Sequence, residues 1–211
     1  MKFTKKYPLK PFQVRDVGRL QKTMSAYPLA TVISQCDPFP LVSQIPLLYD
    51  PAEKVLHGHL DRNNPHSAEI ECGGNIYCVF NGPNHYISPS IYPDTQYPGW
   101  NYIAVHVEGC VRPIADAEWL EALLLRTADA HEPADSGYQL RPTQKNFHSL
   151  LRYILGFEIR VSDLRGVFKL AQDKGMSHAE LAKNHLSELM REDTSAFLTE
   201  MLQGKDCSED V

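Results

Sequence analysis

Two stretches of the chain concentrate residues that can do chemistry. The first is Gly58-His59-Leu60-Asp61-Arg62-Asn63-Asn64-Pro65-His66, which closes a strand-like run and opens a short helical one. One guanidinium, two amides and backbone N–H groups at a helix start make a plausible cradle for a phosphate. Strand-to-helix turns are often polar for no such reason, so this stretch does not decide the matter alone. The second runs from Phe80 to Gly109 and carries Tyr86, Tyr92, Tyr97, Trp100 and Tyr102. Among them stand Asn81, Asn84, His85, Ser88, Ser90 and Asn101. Rings for stacking and amides or hydroxyls for edges suit a flat heteroaromatic ligand. An aromatic loop packed across a barrel mouth would look the same.

Other chemistries find little support. His57 and His59 share one strand face, but a metal site needs three or four convergent ligands, so no metal is expected. His106 reads as a hydrogen-bonded structural histidine. No Ser-His-Asp or Cys-His arrangement is visible, and no glycine-rich phosphate loop occurs.

The elements that must position these residues follow from period and punctuation. Val14, Val17, Leu20, Met24 and Tyr27 predict a helix over 14–27, ended by Pro28. Strands are predicted at 29–35, 40–48 and 54–60, separated by Asp37-Pro38 and Asp50-Pro51. A short helix is expected at 64–71, with Asn64 capping and Pro65 in its first position. Further strands are predicted at 75–81, 84–88 and 101–111. In the last, Ile103, Val105, Val107 and Val111 occupy one face, while Tyr102, His106 and Glu108 share a face that must meet something polar. Asp116 is expected to cap a helix over 117–131. A short helix at 143–152, a strand at 154–161 and an amphipathic helical segment at 177–203 complete the series. Many strands followed by helices predict a mainly β fold, an antiparallel barrel flanked by helices with a C-terminal helical segment.

The chain has 211 residues, 43% of them hydrophobic, enough for one sizeable core. Its 21 basic and 26 acidic residues give a net charge of −5, which argues against direct DNA binding. A basic arm, Lys2 to Lys22, has Asp16 as its one acidic residue, and a solvated helix face accounts for it. The five cysteines suggest neither a disulfide framework nor a CxxC metal motif. No apolar run approaches membrane-span length, and MKFTKKYPLK lacks the apolar stretch of a signal peptide, so cytoplasmic residence is expected.

These stretches resemble the PaiB family of FMN-binding proteins, also described as negative transcriptional regulators. The resemblance runs to about residue 173. It rests on Val42-Ser43-Gln44-Ile45-Pro46-Leu47, on Gly58-His59-Leu60 with Asn64-Pro65, and on Tyr86-Ile87-Ser88-Pro89-Ser90 with Tyr92. It continues through Trp100-Asn101-Tyr102, Ala104-Val105-His106-Val107, Gly156-Phe157 and Phe168-Lys169-Leu170. Ile91, Gly99, Ala171 and Asp173 depart from the family pattern, and Ile91 removes an aromatic beside the pocket the resemblance implies. The family is similar to the pyridoxamine-phosphate-oxidase-like group, whose split barrels dimerise with FMN at the interface. The resemblance therefore implies a homodimer and a flavin ligand, with haem as the alternative. It implies Arg62, Asn63 and Asn64 at the ribityl phosphate, and Ser43 and His59 on adjacent strands near the ribityl chain. Trp100, Asn101 and Tyr102 would border the isoalloxazine, and Lys169 and Gln172 would close over its edge. The division expected is a barrel domain at 1–175 and a helical extension at 176–211. An FMN-dependent oxidoreductase and a regulator of transcription both remain open.

Overall fold

The structure is a computed structural model that describes residues 7–133 and 135–189. These fall into two compact units. One comprises the chain up to Gly82 together with Tyr102–Lys169; the other comprises Pro83–Asn101 and the chain from Leu170 onward.

The first unit is a closed barrel. Its elements begin with β1 (Gln13–Val14), α1 (Val17–Ala26), β2 (Leu29–Ser34) and β3 (Leu41–Asp50). Then come β4 (Val55–Asp61), α2 (His66–Cys72), β5 (Gly74–Ile87) and β6 (Gly99–Ile114). After α3 (Ala117–His131) and α4 (Phe147–Leu150), β7 (Ile154–Lys169) completes the wall. The sheet order is β1-β7-β4-β3-β2-β5-β6, and β7 also pairs with β6. Six strands thus form an antiparallel ring, with β1 as an extra strand on β7.

Inward-facing Val32, Leu47, Phe80, Val105 and Phe157 are at most 1% exposed and fill the barrel. Small residues let helices approach the barrel wall. A Cβ at Gly166 of β7 would meet Leu20 Cδ2 of α1 at 2.6 Å. One at Gly156 would meet Trp119 Cζ3 of α3 at 2.8 Å. Asp116 caps α3 as predicted, its Oδ1 accepting from Trp119 N at 2.8 Å.

The structure departs from the predicted elements at identifiable points. The first helix starts at Val17, since Asp16 accepts from Arg19 N at 2.8 Å and caps it there; Gln13–Val14 pair with β7 instead. Gly82-Pro83 does not divide the strand around it, so the two runs at 75–81 and 84–88 form one β5 of 14 residues. The strand expected at 154–161 continues to Lys169, because β6 supplies it with partners as far as Tyr102. The predicted helix at 143–152 is α4 plus a 3-10 turn at Leu151–Tyr153. The last predicted helix, 177–203, is described as α5 (Met176–Leu189), and its remainder lies outside the described residues.

In the second unit Ile87, Tyr92, Ala171 and Ala182 of α5 form a small core, with Ile91 packed against it. His178 stacks on Tyr92 at 5.0 Å and bonds Asp94 Oδ1 through Nε2 at 2.6 Å. Among the described residues no helix is long and apolar enough to cross a membrane.

Candidate functional site

The turn between β4 and α2 is built by its own side chains. Asp61 Oδ1 accepts from Asn63 N at 2.7 Å, and its carbonyl accepts from Asn64 N at 2.9 Å. Ser67 hydroxyl ties the first turn of α2 to the same carbonyl at 3.0 Å. Pro65 occupies the N-cap with φ −52°, and Asn64 Oδ1 accepts from His66 N at 2.9 Å. The expected helix start is thus displaced by one residue, while Asn64 still satisfies an orphan N–H. Ser43 of β3 joins this turn, its Oγ 3.3 Å from Asn64 Oδ1. Arg62 is anchored by its backbone N–H to Tyr153 O at 2.8 Å. Its guanidinium, exposed, pairs with Glu71 of α2 at 3.1 Å. Ser43, Arg62, Asn63 and Asn64 are therefore gathered at one end of β3 and β4.

His59 is not gathered with them. Leu47 pairs with Gly58, so Leu47, Ser43, Gly58 and Leu60 share one face of the wall and His59 the opposite one. His59 is half-buried, and burial holds its imidazole below its ordinary pKa. His57 on that outer face packs edge-on to Trp119 of α3, with ring centroids 5.5 Å apart.

Tyr102 and Lys169 are cross-strand partners of β6 and β7. Burial and the neighbouring Tyr7 hydroxyl raise the Tyr102 phenol. Lys169 makes no ion pair among the described residues. In the second unit, Trp100 donates from Nε1 to Asn84 Oδ1 at 3.3 Å and stacks on His85, the planes 13° apart. Tyr86 meets the same indole edge-on, and Trp100 is 51% exposed. Asn101 is only 5% exposed, and its Nδ2 has no hydrogen-bond partner among the described residues. Gln172 turns back on its own chain, Oε1 accepting from Leu170 N at 2.6 Å.

Sequence reasoning missed two polar assemblies. His66 is fully buried and bonds Ser34 and Ser43 through its two ring nitrogens, at 2.8 and 3.0 Å. Its signal was its place two residues after a capping asparagine. The second is what meets the polar face of β6: Arg165, 2% exposed, held by Asp163, by Glu108 at 2.6 Å and by Tyr77 at 3.3 Å. Nothing local marks Arg165 as buried, because its partners come from three strands. Beside this cluster an open cleft of about 620 Å³ is lined by Cys36, Asp37, Asn75, Tyr77, Glu108 and Ser162, among others. No cluster of three or more His, Cys, Asp or Glu among the described residues could hold a metal.

Comparison with known proteins bears on what this arrangement serves. The family model described as "Putative FMN-binding domain" matches residues 6–163. The chain belongs to this FMN-binding domain family. Within the curated relatives, Protease synthase and sporulation protein PAI 2 of Bacillus subtilis (strain 168) is 28% identical over 173 residues, covering 80% of this chain and 83% of that protein. Of solved structures, the flavocytochrome Anf3 from Azotobacter vinelandii aligns with a TM-score of 0.62 at 15% identity, over 79% of this chain and 72% of its own. An FAD and heme binding protein from Mycobacterium smegmatis aligns with a TM-score of 0.56 at 16% identity, over 75% and 73%. At such identities these two establish the shared split-barrel fold.

The donor set of this FMN-binding domain fits its cofactor. The turn offers a guanidinium and two amides to a phosphate, and Glu71 holds Arg62 only in an exposed pair. Such pairs are worth about 0–1 kcal/mol, so a dianion can displace it. In the second unit Asn101 Nδ2 is buried with no hydrogen-bond partner among the described residues, and a buried donor left so costs about 1–3 kcal/mol. The polar edge of a flavin carries such acceptors.

Proposed function

We propose that this protein is a PaiB-like flavoprotein that works as a homodimer, holding FMN by its phosphate at the β4–α2 turn. The observation that carries the reading is the convergence of Arg62, Asn63, Asn64 and Ser43 on one turn, with Asn64 already oriented by His66 N. Arg62 supplies the charge and the amides supply direction. Trp100, with His85 behind it, offers a ring face for stacking; Asn101 offers a donor for a ring edge. Lys169 would supply a cation, and Gln172 a second amide. When bound, FMN supplies electron and hydride transfer at its isoalloxazine. The protein's share is binding, orientation and the surrounding charge.

Two uses of the bound flavin fit the family. A regulatory one would reach transcription through a partner, in keeping with a net charge that disfavours naked DNA. Small-molecule oxidation or reduction is the other. Haem is the second ligand reading, favoured by the heme-binding neighbour of the same fold. An absorption spectrum of the purified protein, before and after adding each cofactor, separates these. Flavin bands support the reading; a Soret band replaces it with haem; neither band, even with excess cofactor, removes both. Sedimentation of the loaded protein tests the dimer. A gel shift in low and high salt tests DNA, since affinity that collapses with salt means phosphate contact alone.

A further inference from the structure

We propose that His66 is a positioning residue that orients Asn64 as a hydrogen-bond donor and thereby gives the site its preference for phosphorylated over unphosphorylated flavin. This deepens the FMN reading of the turn and rests on it.

The argument is one of hydrogen-bond direction. His66 N–H, a backbone group that can only donate, lies 2.9 Å from one atom of the Asn64 amide, so that atom is the oxygen. Ser43 Oγ also contacts this oxygen, at 3.3 Å, and must donate to it. Having spent its proton there, Ser43 can only accept from His66 Nδ1 at 3.0 Å, so Nδ1 carries the imidazole hydrogen. Nε2 is then an acceptor, and Ser34 hydroxyl donates to it at 2.8 Å. Direction runs one way through the chain, from Ser34 to His66 to Ser43 to Asn64.

Its terminus is the Asn64 NH2 group. With the amide oxygen engaged twice from within the protein, the amide cannot flip without losing both bonds. Nδ2 makes no hydrogen bond among the described residues and is the half that remains for a ligand. Burial pushes the His66 imidazole below its ordinary pKa, with Glu69 opposing, in keeping with a neutral ring. A phosphate has acceptors only, so a fixed donor binds it. A riboflavin hydroxyl, which both donates and accepts, gains little from the fixing.

The test compares FMN and riboflavin affinities, by quenching of flavin fluorescence, in the full-length protein and three variants. His66→Phe removes both ring nitrogens; FMN affinity is expected to fall about tenfold or more, the worth of a buried charge-assisted bond, while riboflavin affinity stays within about twofold. His66→Asn retains an N–H near the Nδ1 position and should recover most of the loss. Ser34→Ala is a one-atom change far gentler on folding. It frees Nε2 to take the hydrogen, so Nδ1 can accept from Ser43 and Asn64 loses a donor; FMN affinity should fall several-fold, and riboflavin affinity should not. If both flavins weaken equally in His66→Phe and Ser34→Ala, or if neither weakens, His66 is structural only and the proposal fails while the FMN reading stands. If the unmodified protein binds FMN no better than riboflavin, the phosphate reading itself fails, and this proposal with it.

Discussion

Tyr77 of β5 places its hydroxyl 3.1 Å from Nδ1 of His106 on β6, while Arg165 donates to the same hydroxyl at 3.3 Å. With the guanidinium donating to its oxygen, the phenol has a proton to offer to a neutral imidazole. Burial, aided by the nearby guanidinium, pushes the His106 pKa down to about 4. The polar face of β6 thus sets a half-buried histidine beside a buried guanidinium.

A pH dependence follows with definite sign. The folded pKa lies below the unfolded one, so the unfolded chain binds more protons between about 4 and 6.5. Stability from His106 is fully present above 6.5, falls as pH drops through that window, and is constant below it. The full shift would exceed 3 kcal/mol, but partial exposure screens it to roughly 1–2 kcal/mol. Urea midpoints at pH 7 and pH 4.5 should differ less in His106→Phe than in the natural protein. His57, His59 and His66 are lowered too and retain part of the slope.

Gly156 has a different kind of dependence on its neighbour. Any Cβ there meets Trp119 Cζ3 at 2.8 Å and Leu120 Cδ1 at 3.1 Å, so α3 would have to lift from β7. Gly156→Val should cost about 1–3 kcal/mol, as overpacked sites do, read as a lower denaturant midpoint. Pairing it with Trp119→Leu should return part of the loss.

Arg62 and Glu71 make opposite predictions for the cofactor. Arg62→Ala should weaken FMN binding by about tenfold or more. Glu71→Gln releases Arg62 and removes an anion, so FMN affinity should rise by about two- to fivefold at low salt and by less at high salt. Titrations at two ionic strengths measure both; unchanged affinity in Arg62→Ala would take Arg62 out of the site.

Asn101 separates stability from binding. Its Nδ2 is buried without a partner among the described residues, so Asn101→Leu should leave the cofactor-free protein within about 1 kcal/mol of its stability, or raise it. FMN affinity should fall in the same variant. A thermal melt and a flavin titration on one preparation decide it.

The barrel was legible where local rules and tertiary structure agree. Asp116 capping α3, Pro28 before β2, and the alternation through Val105 and Val107 each mark an element without outside help. What was illegible depends on partners distant in sequence. The second half of β7 has charged residues at Asp163 and Arg165 and lies beyond the strand expected at 154–161; it is strand because β6 pairs along it and Glu108 and Tyr77 receive the guanidinium. The turn with Arg62, Asn63 and Asn64 stood out by composition, yet His66 beneath it looked like one more polar residue. His59 and Ser43 were assigned to one neighbourhood by strand adjacency. Register sets them on opposite faces, because Leu47 opposite Gly58 fixes the parity.

The last strand closes the ring, and this has a consequence during synthesis. Until β7 emerges, β4 and β6 both lack a neighbour on one side, and Val14 waits for Gly166 far along the chain. A nascent polypeptide ending before Ile154 therefore carries two bare sheet margins, the type of surface on which chains self-associate or recruit chaperones. Contacts of such long sequence separation also close slowly. Ribosome-stalled chains ending near residue 150 should bind chaperones avidly, and those extended beyond residue 170 plus the exit tunnel should let go.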